Sequence, residues 1–565
     1  MLLPLAVSAS DRRPCDSVEF KGDAPVRLTE VERKLVCGDP DNEGWGSIPV
    51  NQAVYFLRAF LQQRGYQDPS FAVKNGVLEA DPGALSFVRS LTVRGLPPAV
   101  DPSKLRKLTG VPLTPKALDK VKAALTRALR SRGWACPEIA LSADAETGVV
   151  AATVDDGGRR RIDEVVPAPL SRVDASVFNR YEAFRRGDSF DARMLDLTAE
   201  RALADSLFVS AYYDVSCSTS GMRIVQRVVE GKPRLYQLGA GFDTEDLAIA
   251  KVQWKNARRD SRGSSLEGTL YMSVRQQKAL VEAREYLDSA ERLYVKPRGS
   301  YERQDRAAYE SVNAELAVLP STSWEGESLR VDISAGPARD FVRTVRGPGP
   351  ADDAYLSAKT EVTIVDHLFE YYAGEPREGW RTTIQTTSRL AGIDSALTAH
   401  RVSAEGEALW NIGGYDPPLL VAGNRWWVGT TYADSRGVAL KGLAPEMRFY
   451  LGGDGNFRGA SYKGLPNDDA GFLTSLYDGV ELRLGDVLAH GLQPLAFVDF
   501  AAGGRADFEL DRDLYWAPGA GLRWALPVGS IRASVARGIL VRRDAVQAPR
   551  FRSHWEYYFS FGKEF

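Results

Sequence analysis

The chain has 565 residues, enough for several domains rather than one core, and 26% are charged for a net charge of −2. That balance gives no electrostatic footprint for nucleic acid, and no run approaches the roughly 18 apolar residues of a membrane helix. Hydropathy is silent about a barrel, in which only alternate residues meet lipid. Residues 1–14 open on an apolar stretch ending in Ser8 and Ala9 before Asp11-Arg12-Arg13, the pattern of a signal-peptide remnant or a tail. All four cysteines, Cys15, Cys37, Cys136 and Cys217, fall before residue 218, so the two parts of the chain differ in construction.

From residue 15 to 233 one pattern occurs three times, with expected bounds of 15–84, 85–157 and 158–233. Each copy begins with a short strand: Ser17–Phe20, Val88–Val93 or Arg161–Val165. A short helical segment follows, with Leu28, Val31 and Leu35 on one face in the first copy and Leu105 and Leu108 in the second. A longer one-sided helix comes next. It is marked by Val50, Val54, Leu57, Phe60 and Leu61, then by Leu118, Val121, Leu125, Ala128 and Leu129. Gly65 before Tyr66 and Gly133 before Trp134 are glycine stops. The third copy has Met194, Leu197, Arg201 and Ala204 but no such glycine. Two strands close each copy, and the order β-α-α-β-β resembles the POTRA domain, a periplasmic module placed before outer-membrane barrels. Such domains bind extended segments by adding a strand to a sheet edge.

After Pro233 the texture changes to alternating segments separated by Gly, Asp and Asn. Tyr236, Leu238, Ala240 and Phe242 share one face, while Gly239, Gly241 and Asp243 share the other. Gly239-Ala240-Gly241 is not a dinucleotide loop, because the strand pattern runs on and no helix follows. At the chain end Trp555, Tyr557, Phe559, Phe561 and Phe565 form an aromatic face opposite Glu556, Tyr558, Ser560, Gly562 and Glu564. This suits a closing strand with lipid on one side and water on the other. The expectation is α+β repeats followed by an antiparallel transmembrane barrel of about 16 strands over residues 234–565.

Phe449 to Ala460, reading FYLGGDGNFRGA, is similar to the sixth extracellular loop of the BamA/TamA-type outer-membrane assembly superfamily. Gly452-Gly453 matches the turn and Phe457-Arg458-Gly459 the core, although Ala460 stands where the family has an aromatic and Tyr462 lies two residues on. Gly479–Leu484, Leu495–Ala501, Gly521–Gly529 and the chain end follow in the family's order, with Ala501 replacing a glycine. The resemblance implies that the loop folds into the lumen. Arg458 would there need a carboxylate, with Asp499 first and Glu481 second, since Leu482 and Leu484 put Glu481 on the inner face. Gly562 and Phe565 would meet Gly239 and Gly241 at a weak lateral seam where the wall could open.

Three POTRA domains and a barrel, with Trp254 and Gly263-Ser264-Ser265-Leu266 near the first hairpin, resemble the TamA group. That resemblance implies a TamB-like inner-membrane-anchored partner, outer-membrane protein clients of autotransporter type, contact with the lipid bilayer and possible phospholipid traffic. It places the chain in the outer membrane of a Gram-negative bacterium with the repeats in the periplasm. A BamA-like insertase, a two-partner secretion transporter and a passive pore are the alternatives. An oxidising periplasm makes Cys15 and Cys37 a candidate disulfide, because one precedes the first strand and the other ends the first helix. A bridge between Cys136 and Cys217, in different repeats, is the weaker candidate. His367, His400, His490 and His554 are scattered without metal spacing. Neither a nucleophile elbow nor a phosphate loop occurs, so no enzyme, metal or cofactor is expected.

Overall fold

The computed structural model describes residues 18–562 except 22–25, 40–47, 75–76, 105–107, 220, 326–328, 367–376, 391–396, 416, 435–441, 467–470, 486–487, 489–490, 527–528 and 543–551. The chain forms two compact units, Met1–Arg160 with Ser189–Ala192, and Arg161–Asp188 with Arg193–Phe565.

The first unit holds two α+β layers. In one, β1 (Val18–Phe20), α1 (Glu30–Cys37), α2 (Val50–Gln63), β2 (Ser70–Lys74) and β3 (Val77–Asp81) give a sheet of order β1-β3-β2. Strand β3 is central, parallel to β1 and antiparallel to β2. Helix α1 starts where Thr29 and Glu32 exchange side-chain bonds with each other's N–H, a capping box. That start corrects the expected apolar face. Leu28 lies before the cap, outside the helical phase, so Val36 is buried and Val31 is exposed. Helix α2 buries Ala53, Leu57 and Leu61 and stops at Gly65, whose φ of +98° lets Tyr66 N–H reach the Leu61 carbonyl. The next layer repeats the plan with β4 (Ser90–Arg94), α3 (Pro115–Arg130), β5 (Glu138–Ala143) and β6 (Val149–Asp155), in the order β4-β6-β5. Thr114 caps α3, Pro115 opens it, and Gly133 ends it with Trp134 turned back onto Leu129. Leu108 is buried in this core, whereas Leu105 lies outside the described residues.

In the second unit β7 (Glu164–Val166), α4 (Ala192–Ala204), β8 (Phe208–Ser218) and β9 (Gly221–Glu230) form a third sheet, ordered β7-β9-β8. Helix α4 buries Leu195, Leu197, Thr198, Arg201 and Ala202, while Ala204 is exposed and Met194 half-buried. Leu197 and Arg201 of the expected face are buried, so the departure is at its two ends. Arg201, 6% exposed, bonds Glu325 of the barrel instead of filling an apolar core. Without a glycine stop, Ser206 takes the left-handed turn at φ +61°. Among the described cysteines none is free: Cys37, Cys136 and Cys217 are disulfide-bonded, and Cys15 lies outside the described residues.

Residues 234–561 make a closed antiparallel barrel of sixteen strands, β10 to β25. Its first half comprises β10 (Arg234–Asp243), β11 (Leu247–Asn256), β12 (Ser265–Ser273), β13 (Gln276–Tyr286), β14 (Leu293–Asp305), β15 (Glu310–Glu325), β16 (Leu329–Arg346) and β17 (Asp353–Asp366). The second half comprises β18 (Gly379–Arg389), β19 (Ala399–Ile412), β20 (Leu420–Ala433), β21 (Thr474–Leu484), β22 (Leu492–Gly504), β23 (Asp513–Leu526), β24 (Gly529–Arg542) and β25 (Arg552–Phe561). Alternation decides the two faces. Tyr236, Leu238, Leu316, Leu482, Trp555 and Tyr557 stand exposed on the outside, while Glu315, Asp340, Asp499 and Tyr558 are buried within. A water-exposed wall of this kind would be untenable, and a lipid-facing one is expected.

Candidate functional site

The segment between β20 and β21 does not stand away from the barrel. Phe449, Leu451, Phe457, Leu465 and Phe472 enter the lumen and pack against Tyr477, Phe497 and Ala517 of the wall. Backbone bonds fix this entry: Phe449 and Phe472 exchange N–H···O bonds, as do Leu451 and Leu465. Gly452 and Gly453, both at φ +114°, make the turn that returns the chain. A Cβ at Gly452 would overlap the Ser461 carbonyl, and one at Gly453 would crowd Tyr462 and Glu245.

Beyond the turn, Arg458 and Asp499 both have 0% exposure. Arg458 Nε donates to Asp499 Oδ2 at 2.8 Å and Nη2 to Oδ1 at 2.7 Å, a two-pronged pairing. Its backbone N–H adds a third bond to Oδ2 at 3.0 Å. Nη1 reaches Glu481 Oε2 at 2.6 Å, and Glu481 in turn accepts from Arg532 Nη2 at 2.8 Å. The guanidinium carbon lies 3.4 Å from the centre of the Phe497 ring. One buried cation thus meets two carboxylates and an aromatic face, and a second guanidinium balances the second carboxylate.

The expected group Gly452, Gly453, Phe457, Arg458, Gly459, Asp499 and Glu481 is therefore brought together in one place. Sequence reading did not find the residues that seat the loop from the wall. Tyr477 hydroxyl donates to Asp499 Oδ1 at 3.4 Å, and Tyr558 hydroxyl to the Ala460 carbonyl at 2.6 Å. A Cβ at Gly538 of β24 would overlap the Gly459 carbonyl oxygen, so that strand needs glycine for the loop to lie flat on it. Tyr462, two residues past Ala460, lies under the Arg306 guanidinium at 4.4 Å. The alternation of β25 had marked Tyr558 as inward-facing, but its partner is a backbone oxygen, which no residue type announces.

The four expected seam residues divide. Only two residue pairs join β10 to β25 among the described residues, Phe242 to Phe561 and Asp243 to Ser560, with a Thr244 N–H bond to the Phe559 carbonyl beside them. Every other neighbouring pair of barrel strands shares at least eight, as in β11 with β12 and β12 with β13. Gly241 lies against the Phe561 carbonyl, where a Cβ would crowd it. Gly239 pairs with Lys251 on β11, and Gly562, at φ +69°, gives its N–H to Ser530 of β24. Among the described residues, the expected pairing along Tyr236–Phe242 is seen at the hairpin end of β10, and the residues that would continue it past Gly562 lie outside the described ones. Phe565 lies outside the described residues.

Residues 352–565 match the Omp85 superfamily domain. Among solved structures, BamA from Haemophilus ducreyi lacking POTRA domains 1–3 is 15% identical, with 84% of this chain and 99% of that chain covered and a TM-score of 0.48. CdiB from Escherichia coli is 12% identical, with 85% and 91% covered and a TM-score of 0.45. Arg458, both of its carboxylate partners and the β25 side of the seam all fall inside the matched segment. The second part of this closed sixteen-strand antiparallel barrel, from β17 to the chain end, is thus similar to the Omp85 superfamily domain, and three α+β sheets precede the barrel.

Proposed function

We propose that this protein is an assembly or translocation barrel of the TamA type. In this reading it works with a TamB-like inner-membrane-anchored partner to insert or translocate autotransporter-type clients, with a link to phospholipid transport. It acts by offering strand edges and a parting wall, without catalysis and without a cofactor. The observation that carries the reading is the inequality of the wall among the described residues: two residue pairs at the β10–β25 seam against at least eight at every other junction. A strand pair costs least to open where the ladder is shortest, and an opened edge is a template for an incoming strand. The α+β domains ahead of the barrel, each a three-stranded sheet with edge strands among the described residues, suit the delivery of extended segments.

Affinity capture of envelope partners tests the assignment within the superfamily. Recovery of a TamB-like protein supports it, whereas a BamD-like lipoprotein points to a BamA-like insertase, and a single secreted substrate to a two-partner secretion transporter. The seam itself is tested by cysteines at the paired positions Phe242 and Phe561. Oxidation of Phe242→Cys/Phe561→Cys should stop client assembly, and a cross-link at the paired Ser321 and Ser334 of β15 and β16 should not. Full assembly through the oxidised seam would remove the seam from the mechanism.

A further inference from the structure

The lumenal loop touches both sides of the seam, and it does so through two side chains that neither the Arg458 cluster nor the strand ladder uses. On the β10 side, Glu245 sits in the turn after the strand with 6% exposure, and its carboxylate accepts the N–H of Asp454 in the loop. The same turn is tied to the seam. Glu245 and Asp246 N–H groups both donate to the carboxylate of Asp243, one of the residues paired with β25. On the β25 side, Tyr558 gives its hydroxyl to the loop carbonyl of Ala460, two residues before the seam-paired Ser560. Between these two attachment points in the loop lies Arg458, held to Glu481 of β21 and Asp499 of β22.

We infer that Glu245 and Tyr558 are positioning residues that strap the lumenal loop across the seam, so that the loop must leave one strand before β10 and β25 can part. The inference rests on the reading of the seam as the place where the wall opens, and it names what holds that place shut. Three geometric facts support it. The Tyr558 bond is buried and the Glu245 bond partly buried, so an alternative partner is costly to find for the Ala460 carbonyl above all. Gly453 is the residue that admits Glu245, since a Cβ there would crowd the carboxylate. Among the described residues the seam ladder holds two pairs, against which two further bonds are a large addition. Because coupling is reciprocal, a loop that holds the seam is also held by it.

Hydrogen exchange of the full chain in a bilayer reads both ends of the strap. Glu245→Ala and Tyr558→Phe should each speed exchange by about tenfold in peptides covering 242–244 and 555–561, with peptides of β15 to β17 unchanged. Glu245→Gln keeps an amide oxygen for the Asp454 N–H and should fall between wild type and Glu245→Ala. Seam exchange at the wild-type rate in both Glu245→Ala and Tyr558→Phe overturns the inference. Faster exchange of the loop alone, at 453–460, with the seam unmoved also overturns it. If the single variants do not assemble, the question is put in reverse to an otherwise native barrel. Oxidised Phe242→Cys/Phe561→Cys should slow the Gly453 and Asp454 amides relative to the reduced protein, and equal rates reject the strap. Client assembly is not read in any of these arms, so the strap and the proposed function fail separately.

Discussion

Arg458 shows how one side chain sets the position of a whole loop. A guanidinium with no exposure is tenable here because three hydrogen bonds to carboxylates and a ring face surround it, and Asp499, equally buried, accepts two of those bonds together with the Arg458 backbone N–H and the Tyr477 hydroxyl. Arg458→Ala strands that carboxylate and should cost about 3–5 kcal/mol locally. The barrel should still assemble, since its ladders do not run through the loop, while protease added from outside gains access to residues near 450–465. Asp499→Ala should do the same, and the double variant should be little worse than either single one, as expected of one broken pair. Arg458→Lys should resemble the alanine variant, because an ammonium cannot span both oxygens of Asp499. Loop protection at wild-type levels in Arg458→Ala would show that the apolar cluster alone holds the loop. This site was legible because the family resemblance implied a loop inside the lumen, where a buried cation needs an anion, and alternation put Glu481 on the inner face. Glu245 and Gly538 were not, since one binds a backbone N–H and the other matters only for the atom it lacks.

Among elements, the α+β layers were read well where periodicity and punctuation agree. Helices α2 and α3 carry apolar residues at helical spacing and end on Gly65 and Gly133, and both stop there in the structure. Helix α1 is out of phase with its expected face because a capping box starts it after Leu28, whereas α4 buries the expected Leu197 and Arg201 and departs only at the ends, where Met194 is half-buried and Ala204 exposed. Gly133→Ala should destabilise the second layer by about 1 kcal/mol or more, since φ is +101° and a Cβ would press the Phe190 carbonyl at 3.3 Å. The first layer carries a pH dependence of its own. The Arg64 bond holds the Glu32 carboxyl below its usual range, against a smaller opposing effect of burial. A lowered folded pKa stabilises at pH above the ordinary carboxylate value and loses that contribution as pH falls through the lowered one. Urea unfolding followed by the helix signal at 222 nm, with the barrel held in vesicles, should therefore weaken in acid for wild type. The part due to this group should vanish in Glu32→Gln, and identical pH profiles for the two proteins would rule the pair out as its source.

At the scale of the whole molecule, a closed wall of sixteen strands is wide enough for an aqueous channel, as in porins, unless something fills it. Here the loop does. Its aromatic residues occupy the lumen on the side of β20 to β24, and Lys463 extends the filling by donating to Gln304 and the Tyr309 hydroxyl at 2.8 Å each. A passive pore and an assembly barrel thus differ in a measurable way. A pore should conduct steadily as purified, whereas a plugged wall should conduct little until the loop is displaced. In planar bilayers the wild-type protein is expected to stay near the closed level with sparse openings. Gly538→Ala should raise steady conductance, because a methyl on β24 collides with the Gly459 carbonyl and pushes the Phe457-Arg458-Gly459 segment off the wall. Lys463→Ala, which removes the attachment on the β14 side, should raise it less, since the Arg458 pairing stays whole. Large and steady conductance in the wild-type protein, unchanged by Gly538→Ala, would mean that ions pass the loop in its seated position, and the passive pore would then be the better account of this barrel.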